Sequence, residues 1–440
     1  MKQTRRDFIK KVAISSAGLA IGLNAKSYSR ILGANERINF AVIGLHGRGY
    51  AHLTSIRSCS NAIITNICDV DKRELDKFSA NVKKEFGQEP VKEKDFRKLL
   101  EDKNIDVITI ATPEHWHAPM AIMGLQAGKH VYVEKPSHHN PGEGELLVQA
   151  QKKYSKLVQM GNQQRSSDHT IKIIDKIKQG LIGKPYWAKG WYANDRKSIG
   201  IGKEVPVPDY LDWDLWQGPA PRRPYKDNIH PYNWHWFWHW GTGEALNNGT
   251  HEVDICRWAL GVDYPNRITA SGGRYHYKDD WEFYDTLVTN YEYDNKLITW
   301  ESSSCQGMGQ WNNRGRGVTI QGTEGTVLID RAGYEIYDFK GKMTDEFNLS
   351  KASNTQDLLS LDTMTDIHFQ NLVNGIRNGE KLHSPINEAS KSVTILLLSN
   401  IAWKVGRALN LNKETGHVLD DSEAMKYWNR EYEKGWEINV

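Results

Sequence analysis

The chain has 440 residues, 39% hydrophobic and 25% charged, with a net charge of +3. That balance is ordinary for a globular protein long enough to hold two domains, and a charge so near neutral, with no densely basic stretch, argues against a nucleic-acid binder. Four cysteines without a C-x-x-C pair or a Cys/His spacing give no metal site and require no disulfide, so the one departure from average is aromatic: 16 Trp and 19 Tyr.

Residues 1–35 are expected to be a signal and linker rather than fold. Thr4-Arg5-Arg6-Asp7-Phe8-Ile9-Lys10 resembles the twin-arginine export signal. The weakly apolar run from Val12 to Leu23 is too short to span a membrane and suits a signal h-region. A cut after Ala25 is plausible, and no nearby cysteine offers a lipid anchor. The expectation is a periplasmic protein, exported folded by the twin-arginine machinery and without a stable membrane anchor.

Arg37 to Ile43 is an apolar run rich in β-branched residues, and Gly44-Leu45-His46-Gly47-Arg48-Gly49 follows at once. This is the sequence form of a first strand, a tight turn and a helix N-terminus able to hold a phosphate. His46 stands where the strict second glycine belongs, and Gly47 comes one place later. The next strand, Ala62 to Cys68, ends in Asp69-Val70-Asp71. An acid about twenty residues beyond the last glycine sits where an adenosine ribose would lie. There it accepts hydrogen bonds from both hydroxyls and repels a 2′-phosphate, favouring NAD over NADP. Asp69 is placed ahead of Asp71 for this role; the alternative is that either residue caps the helix beginning near Lys72.

Strand and helix patterns keep alternating to Gly161. Asp106–Ala111 runs into Thr112-Pro113-Glu114-His115-Trp116-His117, and His130–Val133 runs into Glu134-Lys135-Pro136. Short apolar strands separated by amphipathic helices predict a doubly wound parallel sheet, an α/β Rossmann domain over 36–161. Ligands of such sheets bind at the carboxyl ends of the strands, where all these polar residues fall.

A second domain is expected over 162–440. A helix over Asp168–Gln179 and a strand over Tyr186–Tyr192 precede a long loop, Ala193 to about Pro231, whose length suggests function. Tyr232 to Glu244 contains four tryptophans at alternate positions. In an extended chain Trp234, Trp236, Trp238 and Trp240 share one face, ready to stack on a sugar, with His235, His239 or Glu244 binding hydroxyls. The competing reading is a core plug or dimer contact. Strands from Arg267 to Ile329 predict an antiparallel sheet, Lys340–Asp357 a loose polar loop, and Thr363–Asn378 and Glu388–Leu409 closing helices.

These segments together resemble the Gfo/Idh/MocA family (glucose–fructose oxidoreductase and inositol dehydrogenase). The resemblance rests on the glycine turn, Asp69, Thr112-Pro113 with His115 and His117, and Glu134-Lys135-Pro136. Gly161-Asn162-Gln163-Gln164-Arg165 and Gly249-Thr250-His251-Glu252-Val253-Asp254 extend it into the second domain. It implies an α+β C-terminal domain with a large open-faced, mainly antiparallel sheet that pairs subunits into a homo-oligomer. It implies NAD held by Gly44, His46, Gly47, Arg48, Gly49, Asp69, Thr112, Pro113, His115, His117, Glu134 and Lys135. It also implies Lys135 as the catalytic lysine and His251 as the acid/base; the candidates to meet a carbohydrate substrate are Arg165, Trp236, Trp238, Asn247, His251 and Asp254.

Chemistry supports the same pair. Oxidising an alcohol needs a base for the hydroxyl proton and positive charge near the developing alkoxide, and histidine and lysine supply them. One departure stands out: family members often carry Asp where this chain has Asn247, four residues before His251. Asp254 either orients the imidazole in its place or pairs with Arg257 or a neighbouring strand. The functional expectation is NAD-dependent oxidation of a sugar or glycoside hydroxyl, for example glycoside 3-dehydrogenation. The alternatives are an NAD-dependent glycosidase and, behind it, a non-catalytic sugar-binding relic.

Overall fold

The computed structural model describes residues 37–349 and 363–440. The export motif, the h-region and the end of the polar stretch before Thr363 lie outside the described residues.

The N-terminal part is a six-stranded parallel sheet. Its elements are β1 (Ile38–Ile43), α1 (Gly47–Ser58), β2 (Ala62–Cys68), α2 (Lys72–Phe86), β3 (Val91–Glu93), α3 (Phe96–Glu101), β4 (Val107–Ile110), α4 (His117–Gln126), β5 (His130–Val133), α5 (Pro141–Tyr154) and β6 (Val158–Met160). The strand order is β3-β2-β1-β4-β5-β6, so the order reverses between β1 and β4. Alternate residues of β1 enter different cores: Phe40 and Val42 pack on one face, Ala41 and Ile43 on the other. Both faces are covered, as a parallel sheet requires.

The rest is α6 (Asp168–Lys178), β7 (Pro185–Ala193), α7 (Trp213–Gln217), α8 (Gly243–Asn247), α9 (Gly249–Leu260), strands β8 (Arg267–Gly273), β9 (Thr286–Glu292), β10 (Leu297–Ser303), β11 (Arg316–Gly322), β12 (Gly325–Ile329), β13 (Gly333–Asp338) and β14 (Met343–Asn348), then α10 (Thr363–Asn378), α11 (Ile386–Val405), β15 (Leu409–Asn410) and α12 (Ser422–Met425). The strands form one nine-stranded sheet, β14-β13-β12-β11-β7-β10-β9-β8-β15. It is antiparallel except for the parallel pair β10–β7. Helix α9 lies close on it because Gly190 of β7 leaves room; a Cβ there would stand 3.0 Å from the Glu252 Cβ. The opposite face carries the Lys189–Glu301 ion pair at 2.6 Å and the exposed Val288. Helix α10 does not join this sheet. Its Phe369 stacks on Tyr132 of β5 at 4.1 Å and closes one face of the parallel sheet.

Two sequence expectations are corrected. The polar stretch from Lys340 contains strand β14, because its backbone pairs antiparallel with β13 whatever its side chains prefer. The tryptophan segment is not extended: Asn233–Trp236 is a 3₁₀ turn, so the two-residue alternation does not hold. Trp236 stacks on Trp281 at 3.9 Å, Trp238 on Phe283 at 5.0 Å, and Trp240 packs against Trp213 and Trp216. These rings are core, and they anchor the long loop that precedes them. Asp279 helps to hold that loop, accepting from Ser198 Oγ at 2.7 Å and from Ile199 N–H at 3.0 Å.

Candidate functional site

A cavity of about 630 Å³ opens along the carboxyl ends of the parallel strands and is walled on the far side by α8, α9 and the second sheet. That size suits a dinucleotide half or a sugar, and its position is the strand-order reversal where such folds hold ligands.

At one end lies the glycine turn. Gly44 has φ +85°, and a Cβ there would stand 2.6 Å from the Ala111 carbonyl, so only glycine fits. Gly47, Arg48 and His46 line the cavity. The N-terminus of α1 carries no side-chain cap and no acidic residue in its first turn, and a Cβ on Gly47 would meet nothing within 4 Å. Unsatisfied N–H groups facing open space are what a pyrophosphate needs, so the residues fit a dinucleotide. Gly49 differs from them, since it lies against the Gly44 carbonyl and does not line the cavity.

The structure separates the two acids after β2. Asp71 caps α2, accepting from Arg73 N–H at 2.9 Å, and pairs with the Arg73 guanidinium at 2.8 Å. Asp69, which lines the cavity as Asp71 also does, ties the turn together, accepting from Leu45 N–H at 2.7 Å and Asp71 N–H at 2.9 Å. Burial pushes its carboxyl up to about 6, against the pull of those two hydrogen bonds. It is therefore charged above about pH 6, and a 2′-phosphate placed beside it would be repelled. NADP is expected to bind at least about tenfold more weakly than NAD at pH 8, and less so at pH 5. Asp69→Asn should narrow the gap in titrations with both dinucleotides, and equal affinities in the unaltered protein would refute the assignment.

The ends of β4 and β5 supply the next group. His117 bridges the two loops, with Nδ1 2.6 Å from the Pro136 carbonyl and Nε2 2.8 Å from the Thr112 carbonyl. Thr112, Pro113 and His117 line the cavity; His115 does not, since its ring is fully buried with Nε2 3.0 Å from the Trp216 carbonyl. Glu134 binds Arg48 Nε at 2.8 Å, His52 Nε2 at 3.0 Å and Gln163 Nε2 at 3.2 Å. Burial alone would raise its carboxyl, but Arg48 and His52 hold it well below the usual range. It is a permanent anion fastening α1 to β5.

Lys135 follows directly and crosses the cleft. Its Nζ donates to the Asn247 carbonyl at 2.5 Å and to Asn247 Oδ1 at 3.2 Å. Burial lowers its pKa, while Glu114 and Glu134 act in the other direction. Glu114 is only 2% exposed and accepts from Thr242 Oγ1 at 2.5 Å. Burial pushes its carboxyl up to about 7, opposed by that hydrogen bond and by Lys135. The sequence reading missed Glu114 as a site residue, although it lies inside the Thr112–His117 segment.

His251 stands one helical turn beyond Asn247, lines the cavity, and makes no side-chain hydrogen bond among the described residues. Burial, then Arg331, Arg316 and Lys135, hold its imidazole well below the ordinary 6.5. Neither Asp254 nor Arg165 reaches it. They bind each other, Nε to Oδ2 at 2.6 Å and Nη2 to Oδ1 at 3.0 Å, with Ser392 donating to Asp254 at 2.6 Å. Asp254 is buried, Arg257 lies 4.0 Å away, and both Arg165 and Asp254 sit outside the cavity lining. Trp236 and Trp238 are likewise outside it, whereas Trp234 and His235 are inside. Glu244 is taken by Arg196 at 2.6 Å. Arg196, Arg316, Arg331 and Tyr192 complete the far wall, from positions with no local sequence signal. Among the described residues no group of three His, Cys, Asp or Glu side chains could hold a metal ion.

Comparison with known proteins identifies the family and the fold. The family description "Oxidoreductase family, NAD-binding Rossmann fold" matches residues 38–162, and "Oxidoreductase family, C-terminal alpha/beta domain" matches residues 169–438. The chain belongs to the Gfo/Idh/MocA oxidoreductase family, and its first domain is the NAD-binding Rossmann domain of that family. Curated relatives include a glycosyl hydrolase family 109 protein of Saccharopolyspora erythraea, 28% identical over 220 residues (46% of this chain, 48% of the relative). Another is an alpha-N-acetylgalactosaminidase of Shewanella oneidensis, 26% identical over 211 residues (43% and 46%). The chain thus spans about half the length of the curated relatives it matches. Similar folds include levoglucosan dehydrogenase in complex with NADH and levoglucosan (TM-score 0.66, 18% identity, 85% of this chain and 99% of that one). The WlbA dehydrogenase of Bordetella pertussis, in complex with NADH and UDP-GlcNAcA, has TM-score 0.63 and 19% identity over 86% of this chain and 99% of that one.

Proposed function

We propose that this member of the family oxidises a hydroxyl of a sugar or glycoside, for example at C3, with NAD as the acceptor. The observation that carries the reading is the meeting of Lys135 and Asn247 across the cleft, at 2.5 Å, with His251 one turn further along the same wall. Bound NAD would supply the hydride acceptor, held by the turn from Gly44 to Arg48 and by Asp69. An imidazole nitrogen of His251, kept neutral by its surroundings, accepts the hydroxyl proton. The Lys135 ammonium, fixed by the Asn247 carbonyl, stabilises the alkoxide as it forms. Asn247 Nδ2 is buried with no hydrogen-bond partner among the described residues and is available to a substrate oxygen. Incubation with NAD and a panel of glycosides should yield NADH in proportion to oxidised sugar; no reduction with any of them would refute the reading.

A redox-neutral glycosidase is the second reading, favoured by the relatives named as glycosyl hydrolases. Transient oxidation acidifies the neighbouring C–H, and the glycosidic bond then leaves by elimination. Release of the aglycone without net NADH would select it. A protein that holds no nicotinamide at all would instead be a binding relic.

Two outer features complete the proposal. The twin-arginine motif at Arg5-Arg6 supports a periplasmic location, so Arg5→Lys with Arg6→Lys should shift the protein to the cytoplasm on cell fractionation. Retention of export would remove the assignment. The open face of the second sheet, with Val288 exposed, supports a homo-oligomer, which sedimentation would read; a monomer there would remove it.

A further inference from the structure

The far wall of the cleft holds a charge that no described residue balances. Arg196 pairs with Glu244 at 2.6 Å, Arg48 with Glu134 at 2.8 Å, and Arg316 with Glu252 at 2.6 Å. Arg331, in the turn between β12 and β13, lines the same cavity and has neither an ion pair nor a hydrogen bond among the described residues. Its neighbour in sequence cannot serve it. Asp330 is occupied by Arg314 Nε at 2.7 Å and by the N–H groups of Ala332 and Gly333, at 2.8 Å and 2.9 Å. Burial, then Arg316, pull the Arg331 guanidinium down from its ordinary value, with Glu252 opposing them. It nevertheless stays charged at neutral pH.

Arg331 and Arg316 with Glu252 make two cations and one anion, leaving a single positive charge. Although part of Arg331 reaches solvent, its unpaired guanidinium lies beside a like charge, and an anion meeting both would relieve that repulsion. Arg331 and His251 line the one cavity, and Arg331 is among the charges that hold the His251 imidazole down, while Arg48 of the glycine turn acts on Arg331 in turn. The pyrophosphate site is served separately, by the N-terminus of α1.

We propose that the cleft selects an acidic sugar, whose singly charged carboxylate is held by Arg331 beside Arg316 while His251 meets a ring hydroxyl. This deepens the carbohydrate reading above and rests on it. A planar guanidinium matches a carboxylate oxygen pair, and one surplus charge suits a monoanion better than a dianionic phosphate monoester. Uronic and aldonic acids and their glycosides are the class described; a sulfate ester is the other monoanion the same fork would take.

Calorimetry on the full chain loaded with NAD tests this. Methyl glucuronide and methyl galacturonide would each be compared with the neutral methyl glycoside and with the 6-sulfate. The expected result is that at least one uronide binds ten- to a hundredfold tighter than its neutral counterpart, with the difference shrinking at high salt. Arg331→Gln should collapse that ratio towards one, and Arg331→Lys should restore part of it. Equal or tighter binding of the neutral sugars, or a ratio untouched by Arg331→Gln, would overturn the inference and leave the carbohydrate reading standing. Tighter binding of the sulfates would overturn the carboxylate assignment. If Arg331→Gln weakened NAD as much as the uronide, Arg331 would belong to the dinucleotide site. If no sugar bound and none reduced NAD, the carbohydrate reading would fall and this inference with it.

Discussion

Lys135→Met is expected to slow hydroxyl oxidation by about a hundred- to a thousandfold while NAD still binds. The Lys135 Nζ is fixed in place before reaction, since it donates to the Asn247 carbonyl at 2.5 Å. Its field is therefore already oriented when negative charge develops on the substrate oxygen. In the ground state that oxygen is neutral, so the loss should fall on kcat more than on KM. The proposed phosphate and ribose contacts lie elsewhere, at the glycine turn and Asp69, so titration with NAD should change little. A variant within threefold of the unaltered protein in kcat would remove Lys135 from the mechanism. Loss of NAD binding would show that its part is structural.

The second large effect concerns His251. Only its neutral form accepts a proton, and its surroundings hold its pKa well below 6.5. The sign follows: kcat/KM is at its plateau at pH 7, and falls as acid protonates the imidazole on passing below the depressed pKa. His251→Gln retains a hydrogen-bonding group but no titrating ring, so it should lose most activity and that acid limb together. Asn247→Asp places a carboxylate one turn away and should move the limb upward, because the imidazolium gains a partner. Glu114 is the competing titrant, since its carboxyl is pushed up to about 7. If the limb lies near 7, survives His251→Gln and vanishes in Glu114→Gln, then Glu114 is the group that titrates. In that case His251 only holds a substrate hydroxyl.

Local chemistry made the first half of the molecule legible. Each parallel strand is a short apolar run ending in residues that only a turn or a ligand explains. Gly44 is required by a positive φ and a carbonyl at 2.6 Å, a demand visible from the turn itself. Asp69 and Lys135 could be placed for the same reason: a strand end fixes its next residue at the ligand side of the sheet. The order of the acids after β2 was harder, because helix capping and ribose binding ask for the same residue type. In the fold Asp71 takes the capping position on α2, while Asp69 accepts from Leu45 N–H in the glycine turn.

The far wall could not be read from sequence. A two-residue alternation of tryptophans predicts one shared face only if the chain is extended, and packing against Trp281, Phe283 and Trp213 turned that segment into core. Arg165 and Asp254, separated by 89 residues, each had the chemistry of a substrate ligand until the fold brought them together and neutralised both. Arg331 shows the converse, a residue with no motif around it that acquires meaning because its neighbours' charges are already spent. By itself the sequence determined the parallel sheet, the turn and the strand-end residues, since these rest on backbone geometry and neighbours within a few positions. Which polar side chains remain unpaired, and therefore face a ligand, was decided only by the tertiary structure. Pairing is a property of two residues distant in the chain, and no single stretch contains it.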